Sequence, residues 1–497
     1  MKSFVLSFAI VLTLSLTALN SAYAGSATWN TDPISNDWNT ADNWTPATVP
    51  NGQEDIATFG VSNTTELQIS STVLLAGAEF TPGASAYQIT IDPGIGLTFE
   101  GSQGVINNSG QMQTFVLSDI PPSTDSSLSF VNNATAGDLV TYESAVSNID
   151  FLDTSSAGSA NFVIGAEAGS VQFFSNASAG SATILVNGPT VSGELGGQMN
   201  FFDSATADNA TLIATNGVAG GGFAVIRLEN YSQGVEARVE LFGSGSLDIS
   251  HRGNRGVGIG SLEGDGVVGL GAGFDARNLA VGSNNLSTVF SGVIQNDGSL
   301  TKVGHGTLTL SHSKPHNSGN TYTGGTTIEG GNLVISNQNG SGTGSGPVSV
   351  TRGKLGGSGI IAGATTIGTG SGPGAFLAPA VGTSVHATLT IESGLTFNAA
   401  ATYTCTFKAN PNQAKTDMVI ANGVTINNGA MIELIGHING ALPQGLVLTL
   451  ISNTSASPII GTFSNLPDGG IVTINGNNFQ ASYESGDGND LTLTVVP

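Results

Sequence analysis

A short pattern that returns every twenty-odd residues constrains the fold of this 497-residue chain most strongly. Each copy has a phenylalanine, a small residue four positions later and an alanine six positions later. The copies read FVNNATAGD, FLDTSSAGS, FFSNASAGS and FFDSATADN, and they begin at Phe130, Phe151, Phe173 and Phe201. Self-similarity at spacings of 21, 22 and 28 residues is typical of solenoids, in which each repeat forms one coil of a stack.

Short runs of alternating apolar and polar residues lie between clusters of glycine, asparagine and serine. Examples are TLTL at 307–310, TLTI at 388–391 and IVTIN at 471–475. This period of two predicts short strands, and no segment shows a convincing amphipathic-helix period. The sequence therefore predicts an all-β, right-handed parallel β-helix, a pectin-lyase-like solenoid. Residues 100–390, at about 22 per coil, would make roughly 13 coils and a rod about 60 Å long.

The segment GNTYTGGTTIEGGNLVIS, residues 319–336, contains two Gly-Gly pairs six residues apart. A β-helix coil consists of short strands joined by tight corners. Corners often need a positive φ, which glycine adopts freely. We therefore expect the glycine pairs to form corners and the runs TTIE and NLVIS to form the faces between them.

Composition limits the partners. Only 9% of the residues are charged, against about 25% in typical soluble domains, so Ser, Thr and Asn must supply most of the polar surface. The formal net charge of −23 repels nucleic acid and anionic lipid, and we expect neither as a partner.

The single cysteine, Cys405, cannot form an internal disulfide, and its place in the alternating run ATYTCTFK predicts a small buried side chain.

The first residues predict export. Lys2 precedes an apolar run, and Ala22-Tyr23-Ala24 fits the small-x-small rule for cleavage, so residues 1–24 are expected to be a secretory signal peptide. The apolar run is shorter than a full membrane span, and no later segment approaches that length. The protein is therefore expected to work outside the cytoplasm.

Residues 300–337, LTKVGHGTLTLSHSKPHNSGNTYTGGTTIEGGNLVISN, resemble the autotransporter-associated β-strand repeat. The matching motifs are GHGTLTLS at 304–311, NTYTGGTT at 320–327 and GGNL at 330–333. GSGPVSVTRGKLGGSGII at 344–361 is similar to the same family, and HSKPHNS at 312–318 reads as an insertion at one corner.

The resemblance implies a secreted or cell-surface β-helix passenger of a Gram-negative-type bacterial envelope. The chain shows no region with the strand pattern of a membrane translocator barrel, in which strands of about ten residues present an apolar band to lipid. We therefore expect a separate outer-membrane translocation partner.

These observations predict five regions. They are a signal peptide (1–24), an N-terminal β-rich cap (25–100), β-helix coils with the Phe and A-x-A-G repeats (101–298), the autotransporter-associated repeat (299–361), and a C-terminal β-helix end with a β-rich cap (362–497).

All three tryptophans, Trp29, Trp38 and Trp44, lie in one N-terminal segment. Exposed tryptophans can stack on sugar rings, because the indole offers an apolar face with a polar handle. A solenoid also needs an atypical end to cover its core. The sequence favours a capping role for these rings and leaves glycan binding as the alternative.

Two constellations could support chemistry on polysaccharides. Asp153 and Asp203 follow their repeat phenylalanines by two residues, so stacked coils would place them about 9–10 Å apart, loosely suggestive of a glycosidase pair. Asp at such a position also commonly caps a turn, and we favour that interpretation. The second constellation is the segment HRGNR together with two nearby acidic residues. Its arginines could bind an acidic sugar, but we interpret the segment as a solvated loop. The residues are His251, Arg252, Arg255, Glu263 and Asp265.

Two further patterns resemble metal sites. His305, His312 and His316 include a His-x-x-x-His spacing, but no Cys or acidic third ligand stands beside them. Asp487 and Asp490 in GDGND match one calcium-binding turn, yet such turns rely on tandem copies. The sequence therefore predicts no metal, no cofactor and no catalytic residue.

The function expected from the sequence is that of a secreted or surface-displayed structural, adhesin-like protein without catalytic activity. Its partners would be glycans or components of the cell surface or matrix. The alternatives are a polysaccharide-active β-helix enzyme, either a lyase or a glycoside hydrolase, and a glycan-binding module.

Overall fold

The computed structural model describes residues 25–118, 126–219, 221–312, 319–372, 374–381 and 386–497. It is a β-solenoid of about 15 stacked parallel coils. Within the described ranges the helical structure consists of two single 3-10 turns, Ala41–Asn43 and Gly273–Asp275. The predicted all-β parallel solenoid is confirmed, while its right-handed sense stays a prediction. The expected signal peptide and the part of the expected insertion at 313–318 lie outside the described residues.

Sheet 1 forms one face of the first half of the rod and has 13 strands. Its strands stack in parallel in chain order from Gly52 onward, and the antiparallel pair of its first two members closes the N-terminal end. In stacking order they are Trp44–Thr45, Ala27–Trp29, Gly52–Phe59, Val73–Phe80, Gly96–Asn107, Ser127–Phe130, Asn148–Phe151, Ser170–Phe173, Gln198–Phe201, Val225–Leu228, Ser246–Asp248, Val267–Gly269 and Val293–Gln295.

Sheet 2 runs along nearly the whole rod. Sixteen of its strands are Glu66–Ile69, Gln88–Ile91, Gln113–Leu117, Val140–Ser144, Asn161–Ile164, Thr183–Val186, Thr211–Ala214, Arg238–Leu241, Ser261–Gly264, Thr288–Phe290, Thr307–Leu310, Asn332–Ile335, Gly353–Gly357, Ala375–Leu377, Ala401–Asn410 and Met431–Ile438. They stack in parallel in this order. A further strand, Gln413–Thr416, pairs antiparallel with Ala401–Asn410.

Sheets 3 and 4 complete the coils of the second half. Sheet 3 has eight parallel strands, Gly256–Ile259, Asn278–Val281, Ser299–Lys302, Thr326–Ile328, Val348–Val350, Thr365–Ile367, Leu395–Phe397 and Val424–Ile426. Sheet 4 has seven, Ile360–Ile361, Thr388–Ile391, Met418–Ala421, Val447–Asn453, Asp490–Val496, Asn477–Ser485 and Ile471–Ile474. The last three strands of sheet 4 join it through antiparallel pairings.

The repeat phenylalanines form a ladder inside the rod. Phe130, Phe151, Phe173 and Phe201 hold the same register position in successive sheet 1 strands and are fully buried. Their ring centroids lie 4.8, 4.7 and 4.6 Å apart, with the planes within 7° of parallel. Strand spacing of about 4.8 Å brings identical rings into stacking distance, so the sequence period and the core packing have the same cause.

The small residues of the repeat turn the corner after each ladder position. Ala157, Ala179 and Ala207 are fully buried. The residue before each buried alanine forms a single parallel bridge to the next coil, as from Thr135 to Ser156 and from Ser156 to Ser178. The alanines of the corners are therefore part of the core.

The two Gly-Gly pairs form the expected corners. Gly325 and Gly331 have φ values of +89° and +60°. A Cβ atom on Gly331 would lie 2.3 Å from the carbonyl oxygen of Gly306 in the preceding coil. Both the backbone conformation and the close approach of the coils therefore require glycine at this position.

The tryptophans pack against one another at the N-terminal end of the rod. Trp29, Trp38 and Trp44 are at most 2% exposed. The indole of Trp44 lies edge-on to those of Trp29 and Trp38, and its Nε1–H donates to the Trp38 carbonyl over 2.7 Å. Trp38 and Trp44 also contact Phe59 of sheet 1. The rings cover the first coil, and their burial leaves no face open for a sugar.

Candidate functional site

A groove of about 780 Å³ crosses the outer face of sheet 1, and we name it the sheet-1 groove. Strand alternation determines which residues form the floor of the groove, because the residues on either side of an inward-facing core residue face outward. One register row of the floor consists of Arg227, Asp248, Gly269 and Gln295 on four neighbouring strands, and Gln198 extends the floor to the strand that precedes them. At about 4.8 Å per strand, this five-strand floor spans on the order of 19 Å.

Hydrogen bonds fix the charged side chains of the floor. The guanidinium of Arg227 donates from one nitrogen to Gln198 Oε1 over 2.7 Å and to Asn200 Oδ1 over 3.2 Å. Asp248 Oδ1 accepts the backbone N–H of Ser250 over 2.9 Å. Arg227 and Asp248 are register neighbours, yet no ion pair within 4.0 Å joins them. The floor thus presents one cation and one anion side by side, each with remaining capacity for a ligand.

Apolar side chains form the rim of the sheet-1 groove. Phe223 is 63% exposed and Leu195 is 59% exposed, and both line the groove, so they form one apolar patch. Val225 and Val267 add apolar surface on the neighbouring row of the floor. An apolar rim above polar side chains suits a saccharide, whose C–H faces pack on apolar groups while its hydroxyls form hydrogen bonds.

A pocket of about 530 Å³ lies on the outer face of sheet 2 near the C-terminal end, and we name it the sheet-2 pocket. Its titratable lining residues are Lys354, His386, Lys408, Asp417 and His437. Asp417 is fully buried, and its carboxylate accepts the backbone N–H groups of Thr406 (2.8 Å) and Ala387 (3.1 Å). Burial raises the pKa of Asp417 above its usual value, although these hydrogen bonds oppose the shift.

Asp153 and Asp203 occupy corners, as the turn interpretation expects. Both have φ values in the left-handed region, +58° and +48°. Asp153 Oδ2 accepts the N–H of Asn132 over 3.2 Å, and Asp203 Oδ2 accepts the N–H of Ser175 over 3.1 Å. Each carboxylate therefore bonds to the same corner of the preceding coil. These bonds hold one coil to the next.

The HRGNR residues do not form one site. Arg252 is buried and donates to Asn254 Oδ1 (3.0 Å), to the Gly256 carbonyl (3.2 Å) and to Ser232 Oγ (3.3 Å). Burial, together with the neighbouring Arg277, lowers the pKa of Arg252 to about 10. These hydrogen bonds fix Arg252 to its own corner and to Ser232 of the preceding coil, so its role is structural.

The other members of this constellation point elsewhere. His251 and Arg255 are exposed, and His251 Nδ1 lies 4.0 Å from Asp248 Oδ2 at the sheet-1 groove. Glu263 pairs with Arg238 on sheet 2, and Asp265 accepts the N–H of Gly243 over 2.7 Å. The contacts of the described residues therefore place HRGNR and its two acids in separate structural roles.

The candidate metal residues are also dispersed. His305 is exposed, whereas His312 is buried with its Nε2 3.2 Å from Asn320 Oδ1; His316 lies outside the described residues. Asp487 and Asp490 lie in or beside the turn between two antiparallel strands, where Gly486 and Gly488 have positive φ values. Among the described residues, no group of three or more His, Cys, Asp or Glu side chains could hold a metal ion.

Cys405 lies on the inward face of its strand and is fully buried. Burial raises the pKa of its thiol to about 12. The neutral thiol is a poor nucleophile, so Cys405 acts as a small core residue, as its alternating sequence context indicates.

Sequence reasoning missed Phe223, Arg227 and Asp248. A signal for the last two was present, because extending the repeat register beyond Phe201 aligns QMNF, VIRL and SLD and places their polar third residues in one outward row. No comparable signal exists for Lys354 and Lys408, which are 54 residues apart in the sequence and line one pocket only because their coils stack.

Comparison with known proteins adds one match. Residues 300–335 match the family model of the passenger-associated-transport-repeat. No curated protein matches the chain. Among the described residues, no helix is long and apolar enough to cross a lipid bilayer. The matched repeat is the segment in which the sequence resembles autotransporter passengers, and both the repeat and the β-solenoid fit an autotransporter passenger-like protein.

Proposed function

We propose that the chain is a displayed, non-catalytic, adhesin-like scaffold that contacts glycans through the sheet-1 groove. The observation that carries this proposal is the arrangement in that groove of an exposed Phe223 above a row of amide and charged side chains. An aromatic face and fixed hydrogen-bonding groups are what binding of a sugar chain requires. The five-strand floor is long enough for several sugar residues.

The passenger-type repeat supports the display part of the proposal. The matched residues 300–335 cover strands Thr307–Leu310 and Asn332–Ile335 of sheet 2, which are direct neighbours. They also include Thr326–Ile328 of sheet 3 and most of the strand beside it. The repeat therefore builds successive rungs of the rod. The repeat also suggests a secreted or surface location in a Gram-negative envelope, and a separate partner would carry the chain across the outer membrane.

The alternative is a polysaccharide-active enzyme, and the adjacency of Arg227 and Asp248 in the groove favours it most. Arginine can bind a sugar carboxylate, and an aspartate can act as an acid or base. Glycoside hydrolysis usually needs two carboxyl groups, and Asp248 is the one carboxylate among the described lining residues. The groove chemistry supports binding more than hydrolysis.

A binding experiment tests the glycan contact. The purified chain would be titrated with neutral oligosaccharides of increasing length by isothermal titration calorimetry. Phe223→Ala removes the exposed ring, and we expect it to weaken binding about five-fold, since an aromatic contact contributes about 1 kcal/mol. Tyr231→Ala is the matched control, because Tyr231 is also exposed (59%) but does not line the groove.

Two results would contradict the proposal. One is equal binding by the wild type and Phe223→Ala, which would place the glycan elsewhere. The other is the absence of measurable binding to every oligosaccharide tested, which would leave the groove without its proposed ligand.

A further inference from the structure

The sheet-2 pocket collects positive charge in an acidic protein. The chain has 12 Lys and Arg against 35 Asp and Glu. Even so, the described contacts give neither Lys354 nor Lys408 an ion-pair partner, and both line this pocket. An excess of one sign of charge in a cleft focuses the field and raises the local concentration of opposite charge, and here Asp417 is the one carboxylate beside two lysines among the described lining residues. Such a cleft in a protein of net charge −23 requires an explanation other than solubility.

Strand pairing concentrates this charge further. Lys408 lies directly across from His437 on one side and from Lys415 on the other. Lys408 and Lys415 carry like charges directly opposite each other, which is destabilising in a sheet and costs folding free energy. An anion bound between these groups would offset that cost.

The negative groups of the pocket are already engaged. Asp417 lies beneath the floor, bonded to two backbone N–H groups, with Oδ1 3.7 Å from His386 Nδ1. Glu433, on the strand next to the floor, accepts the hydroxyl of Thr404 over 3.0 Å. Neither acid pairs with a lysine, so the lysine ammonium groups remain available to a ligand.

The register sets the distance between the lysines. Lys354 pairs with Phe376 on the next strand, and Phe376 pairs with Thr402 on the strand after it, Ala401–Asn410. Lys408 lies six residues beyond Thr402 on Ala401–Asn410. At about 3.3 Å per residue, the two Cα positions are separated by on the order of 20 Å along the strand direction. A single small anion cannot bridge that distance, whereas an extended chain with repeated charges can.

The floor between the lysines carries hydroxyl groups. Thr404 and Thr406 face outward on the central strand and line the pocket. The loop residues Ala378 and Val381 supply an apolar wall, and the ammonium of Lys354 lies 5.5 Å from the centroid of the Phe376 ring. Hydroxyl donors and acceptors beside an apolar wall match a sugar chain, and the widely spaced cations match charges carried along such a chain.

We propose that the sheet-2 pocket binds an extended acidic polysaccharide, with Lys354 and Lys408 at opposite ends of the bound segment and the threonine hydroxyls between them. The proposal goes beyond the neutral-glycan contact of the sheet-1 groove, because it concerns another face of the rod and an anionic ligand. Nucleic acid, a polyanion of higher charge density, is disfavoured by the acidic surface of the rest of the protein.

The test is calorimetric titration of the full chain with an oligogalacturonate at low salt. We expect Lys354→Gln and Lys408→Gln each to weaken binding about three-fold and the double variant about ten-fold, as for exposed ion pairs. Binding should weaken as the salt concentration rises. Arg255→Gln is the charge-matched control, because Arg255 is exposed and lies outside the pocket; it should bind as the wild type does. Circular dichroism would verify that each variant is folded.

Other probes separate the possible ligands. Monomeric galacturonate and inorganic sulfate should bind far more weakly than the oligomer, and equal binding per charge would overturn the extended-chain proposal. Polyglutamate that binds as tightly as the oligogalacturonate would overturn the assignment to a saccharide. If Arg255→Gln weakens binding as much as the pocket variants do, or if the oligomer does not bind, the assignment of the site is wrong.

Phe223→Ala should leave binding of the oligogalacturonate unchanged. A failure of the sheet-1 groove proposal can therefore be distinguished from a failure of the sheet-2 pocket proposal.

Discussion

Phe151 and Phe173 hold the same register position in neighbouring coils, with ring centroids 4.7 Å apart and ring planes 7° from parallel. From Phe130 to Phe201 each coil adds one ring to this ladder and one polar corner to the surface, and Leu228 holds the position in the next coil. The stability of this part of the rod therefore depends on contacts that each coil repeats with its neighbours, as expected for a solenoid.

Removal of one ring tests this dependence. Phe151→Ala should lower the free energy of unfolding by about 3–5 kcal/mol, because it removes buried apolar surface and leaves a cavity between two rings. Urea denaturation followed by circular dichroism would measure the shift. Phe223→Ala, which removes an exposed ring, should change stability by less than about 0.5 kcal/mol. Equal effects of the two substitutions would contradict the ladder.

The corner glycines make a second prediction. Gly331→Ala should destabilise the protein by about 1–3 kcal/mol, because φ is +60° and the new Cβ would meet the Gly306 carbonyl oxygen. Gly258→Ala is the control, since nothing lies within 4 Å of its Cβ position in the strand. The control should be neutral or slightly stabilising in the same urea experiment. A tolerated Gly331→Ala would show that this corner does not require glycine.

The sequence predicted the ladder and the corners because both recur in successive coils. Phe151 and Gly331 belong to patterns that are visible without a structure. The outer face carries no such constraint, since strand alternation fixes which residues face outward but not which of them form a site. Phe223 and Lys408 therefore gave no periodic signal. The assignment of Trp38 was open between capping and glycan binding, and only its burial decided it.

The tryptophan cap predicts a fluorescence signature. The rings of Trp29, Trp38 and Trp44 are buried, so native emission should be blue-shifted and poorly quenched by acrylamide. Oligosaccharide binding to either proposed site should leave this emission unchanged. Quenching close to that of the urea-unfolded chain would contradict the cap.

Lys302 breaks the strand pattern and predicts a pH effect. It occupies an inward position of Ser299–Lys302, is 1% exposed, and bonds to the carbonyls of Val303 and Gly330. Burial lowers the pKa of Lys302 from 10.5 to about 8. Between pH 8 and about 10.5 the unfolded chain therefore binds a proton at this lysine that the folded chain does not. The contribution of Lys302 to stability rises with pH in this window and is flat below it.

Comparison with Lys302→Met isolates this effect from the other titrating groups. The stability difference between wild type and variant should move in favour of the wild type by on the order of 1–3 kcal/mol from pH 7 to about pH 10.5. Urea midpoints of both proteins at three pH values would measure it. A difference that does not change with pH would show that the ammonium group remains hydrated in the folded protein.

The central proposal, a scaffold that binds glycans without reacting with them, is tested most directly by product release. The purified chain would be incubated with neutral and acidic polysaccharides, with and without calcium, and assayed for new reducing ends and unsaturated products. We expect no products above those of a heat-denatured control. Product release by the wild type that is lost in Asp248→Asn, or in Asp153→Asn or Asp203→Asn, would contradict it and make the protein an enzyme.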